Sequence, residues 1–333
     1  MAFTQSYLHF KKKIFSVTDS GFCDLAMEVY EFQLSHNSIF RSFGQNLRLN
    51  SSARALPFHF LPVETFKKYA VLTTARPPHL YFETSGTSGL IQGRHYLSAP
   101  EYYDESISKG FALAFGHLYD CIIVGLLPSY LDRPHASLVY MVRKLMEQSG
   151  QQQEYFFMSD IAGLDKCIEE LLASGKRIVL FGVSFALLDW SATTRLRDFH
   201  ALHIIETGGM KGRRREMVKE ELHTLLRAAL PGVHLYSEYG MTELLSQAYT
   251  AGDLCFICPP WMKVMAREVY DPFTPCSPGQ SGIIQIIDLA NLYSCAFLET
   301  ADLGRVFEDG SFTIEGRIDH SDIRGCNLLY ESL

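Results

Sequence analysis

Val233-His234-Leu235-Tyr236-Ser237-Glu238-Tyr239-Gly240-Met241-Thr242-Glu243 is the stretch on which the reading of the fold turns. A short β-rich run, 233–236, leads to a glycine and then to a carboxylate, with more apolar sequence behind it. Gly240 permits a tight turn, Glu243 offers the hard oxygen that Mg²⁺ prefers, and Tyr239 offers a flat face for a base. Taken alone, the same residues also read as an ordinary strand-to-helix turn.

Upstream, the pattern of strand followed by helix recurs. β-Rich runs at Cys121–Leu127, Arg177–Gly182 and His203–Glu206 alternate with apolar spacings of three and four residues in 22–34, 101–118, 136–148, 162–173 and 214–229. Alternation at these lengths predicts crossover units, and so an α/β fold whose mostly parallel sheet is covered by helices. The first eighty residues read as helical or irregular. Downstream the texture changes. Pro259-Pro260, Asp271-Pro272 and Pro275 punctuate the chain, Ile283–Asp288 reads as a strand, and Glu308-Asp309-Gly310-Ser311 sits between two apolar runs as a hairpin turn. The expected organisation is an α/β body over 1–250, a smaller β-rich subdomain over 251–318, and a short tail over 319–333.

The 333 residues are 47% hydrophobic and 20% charged, ample for a packed core. A net charge of −7 argues against nucleic acid as a partner, because phosphate backbones are held by basic surfaces. Lys211-Gly212-Arg213-Arg214-Arg215 is too short a run to change that. Lys11-Lys12-Lys13 is not followed by a leader-length apolar stretch, and no apolar run is long enough to span a bilayer. The expectation is a cytoplasmic protein without a membrane span. Eight scattered cysteines, one pair of them spaced as Cys255-x-x-Cys258, lack the second close pair of a zinc site and read as free thiols.

Three further stretches carry chemistry. Thr84-Ser85-Gly86-Thr87-Ser88-Gly89 packs glycines and hydroxyls too densely for a helix or strand interior; it suits a loop whose N–H groups cradle an anion, or a flexible turn. Arg94 and His95 follow as candidate cations. Glu299-Thr300-Ala301-Asp302-Leu303-Gly304-Arg305 places a carboxylate beside a glycine turn that opens a hairpin, fit for a ribose diol or for a cap. Gly316-Arg317-Ile318-Asp319-His320 closes the series.

In that order, the four stretches resemble the motifs of the adenylate-forming superfamily of acyl-CoA synthetases, luciferases and adenylation domains. The likeness implies that ATP and Mg²⁺ are the cofactors. It puts Thr84, Ser85, Gly86, Thr87, Ser88 and Gly89 in the phosphate loop, and Tyr239, Gly240, Met241, Thr242 and Glu243 in the adenine and magnesium motif. By the same likeness Thr242 meets the α-phosphate, Glu243 the metal, Asp302 the ribose, and Arg317 the ribose or phosphate. Gly208 and Gly209 lie along the adenine, and Tyr239 stacks on its other face. His135 falls where the superfamily lines its acyl pocket, while Phe111, Phe115, Phe181 and Phe185 read as aromatics of core helices.

Two departures stand out. Leu90-Ile91-Gln92-Gly93-Arg94 replaces the usual Pro-Lys-Gly, and the sequence ends at Leu333 without the C-terminal domain that supplies the superfamily's bridging lysine. In that shortness, and in Glu206–Gly212, Ser137–Met141 and Ile323–Leu328, the chain resembles the acyl-protein synthetase branch known from bacterial fatty acid reductase. That likeness implies activation of a carboxylic acid, a fatty acid in the branch, and transfer of the acyl group to Cys326. It also implies an acyl-reductase or carrier-protein partner. Arg324 and His320 stand close in sequence to activate the thiol. An acyl-CoA or acyl-carrier-protein ligase, with Cys326 merely packed, is the alternative enzyme; a non-catalytic nucleotide-binding relic is the third reading.

Overall fold

The computed structural model describes residues 9–50, 58–74, 76–84, 92–128, 130–208 and 217–318. In chain order, the helices α1 (Phe22–His36) and α2 (Ser38–Asn50) come first. Asn37 fixes the break between them, its Oδ1 accepting from Phe40 N–H and its Nδ2 donating to the Ser294 carbonyl. The strands β1 (Leu61–Pro62), β2 (Leu80–Glu83) and β3 (Arg94–Leu97) follow, then α3 (Pro100–Phe115). Alternation then sets in: β4 (Cys121–Leu126), α4 (Ser137–Gln148), β5 (Phe156–Phe157), α5 (Ile161–Leu172), β6 (Arg177–Gly182), α6 (Ser184–Ser191), β7 (Leu202–Thr207), α7 (Lys219–Ala229), β8 (His234–Tyr239) and β9 (Ala248–Thr250). The last strands are β10 (Phe256–Ile257), β11 (Met262–Arg267), β12 (Ser281–Asp288), β13 (Phe297–Val306) and β14 (Phe312–Arg317).

The chain divides into two compact units, Met1–Ser106 with Met241–Ser246 and Ile257–Leu333, and Ile107–Gly240 with Gln247–Phe256. In the second, β5, β4, β6, β7 and β8 pair in that order as parallel neighbours, and β9 adds an antiparallel edge to β8. All six residues of β4 and five of β6 are buried, so apolar side chains leave both faces of the strand and both faces are covered. This is the α/β arrangement that the alternation predicts. Phe111 and Phe115 lie in α3 and Phe185 in α6, as expected; Phe181 belongs to β6, because its run of Ile, Val and Leu favours a strand.

The first unit carries the antiparallel series β11-β12-β13-β14, with β1 parallel to β13, and the separate hairpin β2-β3. Phe297 of β13 packs among the rings of Tyr30, Phe40 and Phe58. Here the reading of Glu299–Arg305 as a turn needs correction. The segment is the body of a ten-residue strand, and the hairpin turn lies further on, at Gly310 (φ 81°). The strand wins because all of its residues but Thr300 and Ala301 pair with β12 or β14, which a local reading cannot see. Its Gly304 is needed for close approach: a Cβ there would lie 2.1 Å from the Thr313 carbonyl oxygen.

Candidate functional site

In the first unit Thr84 and Gly93, beyond the ends of β2 and β3, are hydrogen-bonded to each other. Thr84 N–H donates to the Gly93 carbonyl and Gly93 N–H to Thr84 Oγ1, both at 2.9 Å. Ser85, Gly86, Thr87, Ser88 and Gly89 lie outside the described residues. On the strand after the loop, Arg94 is exposed and pairs with Glu83 at 3.2 Å. His95, expected as a cation, is instead fully buried. Burial pushes its imidazole down to about 4, outweighing hydrogen bonds to Thr242 and Asn291 that favour the charge.

Those contacts tie three separate stretches together. His95 Nδ1–H donates to the Thr242 carbonyl at 2.7 Å, and Nε2 lies 3.1 Å from Asn291 Oδ1. Asn291 Nδ2 donates to the Glu243 carbonyl at 2.7 Å. Asp288, at the end of β12, accepts from Leu245 N–H, Ser246 N–H and the Ser246 hydroxyl. The segment Met241–Ser246 is thus held from both sides through its main chain.

Glu243 itself is buried, 8% exposed. Burial pushes its carboxyl up to about 7, against its own backbone N–H and the charges of Arg317 and Lys67, with Glu64 adding to the rise. Among the described residues no side chain donates a hydrogen bond to it. A desolvated carboxyl short of donors is what a hard cation satisfies. No group of three metal-ligating side chains exists among the described residues.

Asp302 lies in mid-strand on β13, directly opposite Arg317 of β14, whose Nε donates to Asp302 Oδ1 at 2.8 Å. The carboxylate is 5% exposed while the guanidinium reaches solvent, so the pair orients an acid at the surface of the sheet. Behind it, Glu299 is clamped by Arg267 through two hydrogen bonds of 2.7 and 2.6 Å.

The second unit brings the strand ends of β7 and β8 together. Gly208 follows β7 at φ +69°, a backbone that only glycine adopts without strain, and its carbonyl accepts from the Ser184 hydroxyl at 2.6 Å. Tyr239 ends β8 as a buried ring tilted against Phe256. Gly240 has no left-handed φ; its constraint is the Glu238 carboxyl, 2.3 Å from where a Cβ would stand. Burial pushes Glu238 up to about 7, although the Thr207 hydroxyl donates to it. Burial likewise raises neighbouring Glu206, but Lys219 at 2.7 Å and the hydroxyls of Ser184 and Ser237 carry it below the ordinary carboxylate value. His135 is half-buried, while Gly209, Cys326, His320 and Arg324 lie outside the described residues.

Sequence reasoning missed His95 as a brace, and with it Asn291, Asp288 and Glu238. A signal was present in Ile286-Ile287-Asp288-Leu289-Ala290-Asn291-Leu292, where polar residues sit inside an apolar run and must find buried partners.

No protein-family model matches the chain, and no curated protein matches it. Solved structures do. ATP-bound MatB from Rhodopseudomonas palustris superposes with a TM-score of 0.55 at 17% identity, over 74% of this chain and 48% of that one. A long-chain-fatty-acid-CoA ligase, FadD1, from Archaeoglobus fulgidus gives 0.52 at 17%, over 73% and 52%. The luciferase-like enzyme of the nonluminescent mealworm Zophobas morio gives 0.53 at 14%, over 73% and 58%. The fold is one these enzymes share. The chain spans about half the length of the solved structures it matches. Among the described residues, no helix is long and apolar enough to cross a membrane.

Proposed function

We propose that this chain is an ATP-dependent acid-activating enzyme of the acyl-protein synthetase kind. The observation that carries this reading is Glu243, a buried carboxyl that receives no side-chain hydrogen bond among the described residues, in the same unit as the Asp302–Arg317 pair. Both occupy the sequence positions where the superfamily holds its metal and its ribose.

In the reaction, a carboxylate oxygen of the acid attacks the α-phosphorus of ATP. The bond from that phosphorus to the bridging oxygen breaks, and pyrophosphate leaves with the electron pair. The acid arrives ionised, so no general base is needed and positioning with charge neutralisation does the work. Bound Mg²⁺ supplies neutralisation of the polyphosphate charge, with Glu243 as its protein ligand. Thr242 is the donor to the α-phosphate, Asp302 accepts from the ribose hydroxyls, and Arg317 holds Asp302 in line. Thr84 closes the neck of the phosphate loop. In the second half, the Cys326 thiolate attacks the acyl carbon and AMP leaves. A fatty acid as substrate and a reductase or carrier protein as the onward acceptor rest on the likeness of sequence.

The names of the structural neighbours, CoA ligases among them, favour a second reading in which free coenzyme A takes the acyl group. Acid-dependent exchange of labelled pyrophosphate into ATP, screened across acids of different chain length, tests the first half. Exchange is expected for one acid class, lowered about 10²–10³-fold by Glu243→Ala. For the second half, Cys326→Ser is expected to keep exchange and to abolish a covalent acyl adduct seen by mass spectrometry. Full turnover with coenzyme A by that variant selects the second reading, and absence of exchange across the whole panel overturns both.

A further inference from the structure

The side chains of Thr242 and Glu243 have no hydrogen bond to another side chain among the described residues, so their direction is set through the main chain. That main chain is held by a buried polar brace. His95 on β3 takes the Thr242 carbonyl, and Asn291 in the turn after β12 takes the next carbonyl, that of Glu243. The two braces contact each other at 3.1 Å, and both residues are fully buried. Asp288 anchors the far end of the segment at Leu245 and Ser246. These are different elements converging on consecutive peptide units, beyond what packing of the turn alone requires.

We propose that His95 and Asn291 are positioning residues for the metal-bearing nucleotide: by seating two successive carbonyls they aim the Thr242 hydroxyl and the Glu243 carboxyl. The inference rests on the nucleotide reading given above and assigns new roles within that site. Neither residue touches the ligand; each acts through the backbone of the residue that does. Loss of such an outer partner typically costs about 10–100-fold in metal affinity.

The test is calorimetric titration of the full chain with ATP, with and without Mg²⁺, so that no acid substrate is needed. Wild type is expected to bind ATP more tightly with Mg²⁺. Asn291→Ala and His95→Ala are expected to lose about 10–100-fold of the affinity for MgATP, and a clearly smaller factor for metal-free ATP, which feels only the Thr242 contact. His95→Gln, which can still donate to the Thr242 carbonyl, is expected to recover part of the loss. Asn291→Asp, matched in shape but unable to donate to Glu243, serves where the alanine variant does not fold, and the same loss is expected. Wild-type MgATP affinity in the variants overturns the inference and leaves the nucleotide reading standing. Equal weakening with and without Mg²⁺ also overturns it, since a merely structural brace would do that. A wild type that binds neither form of ATP removes the nucleotide reading, and this inference with it.

Discussion

Glu206 and Glu238 stand at the ends of adjacent strands, both buried, yet their carboxyls shift in opposite directions. Lys219 reaches Glu206, whereas Glu238 has a hydroxyl donor in Thr207 and the like charge of Glu206 nearby. A carboxyl raised to about 7 stabilises the fold in its protonated form. That contribution is complete below the unfolded value near 4.5 and is lost as pH rises through about 7. Glu238→Gln keeps an acceptor for Thr207 and removes the charge. Thermal melts are expected to show the variant matching wild type near pH 4.5 and exceeding it by about 1–3 kcal/mol above pH 7. The residues named from sequence as ligands for a nucleotide are short polar motifs, which a sequence displays. Those that hold the motifs, His95 and the close pair Asp288 and Asn291, come from two stretches distant in sequence. Their function exists only through carbonyls and N–H groups, which have no letter in a sequence.

At the level of elements, β4, β6, β7 and β12 were legible, because their apolar runs bury both faces and tolerate no other structure. β8 extends through Ser237-Glu238-Tyr239, past the run that announced it, since polar residues there satisfy one another across strands. β13 was illegible in its centre: Thr300-Ala301-Asp302-Leu303-Gly304 holds small and turn-prone residues that only the flanking strands make extended. Gly304 reports on this directly. Gly304→Ala forces a methyl against the Thr313 carbonyl and Ile284, in a stretch where the β13–β14 register already shifts. The expected cost is about 1–3 kcal/mol in denaturant unfolding. Asp302 and Arg317 pair across the same ladder, so hydrogen exchange at the amides of β14 is expected to accelerate in the variant.

Over the whole molecule, acid is the condition to watch. His203 and His223, both in the second unit, are each pushed down to about 4, chiefly by burial. His223 Nε2 meets the Ser237 hydroxyl, and its buried Nδ1 has no partner among the described residues. A base with a depressed value contributes stability that is whole above the unfolded 6.5 and is lost as pH falls towards 4. Each of these histidines is expected to steepen the fall by up to about 1.4 kcal/mol per pH unit in that window. His223→Gln, followed by urea unfolding at pH 7, 6 and 5, is expected to flatten it. The α/β class was readable from periodicity because helices and strands each write their repeat into local sequence. The return of Met241–Ser246 to the first unit is a matter of long-range contacts, which no window of sequence contains.

The paired bonds between Thr84 and Gly93 have a consequence for how such a protein can diversify. They extend the β2–β3 ladder one step beyond its last paired residues, Glu83 and Arg94. Substitutions within 85–91 are therefore expected to leave the register of β2 against β3 untouched.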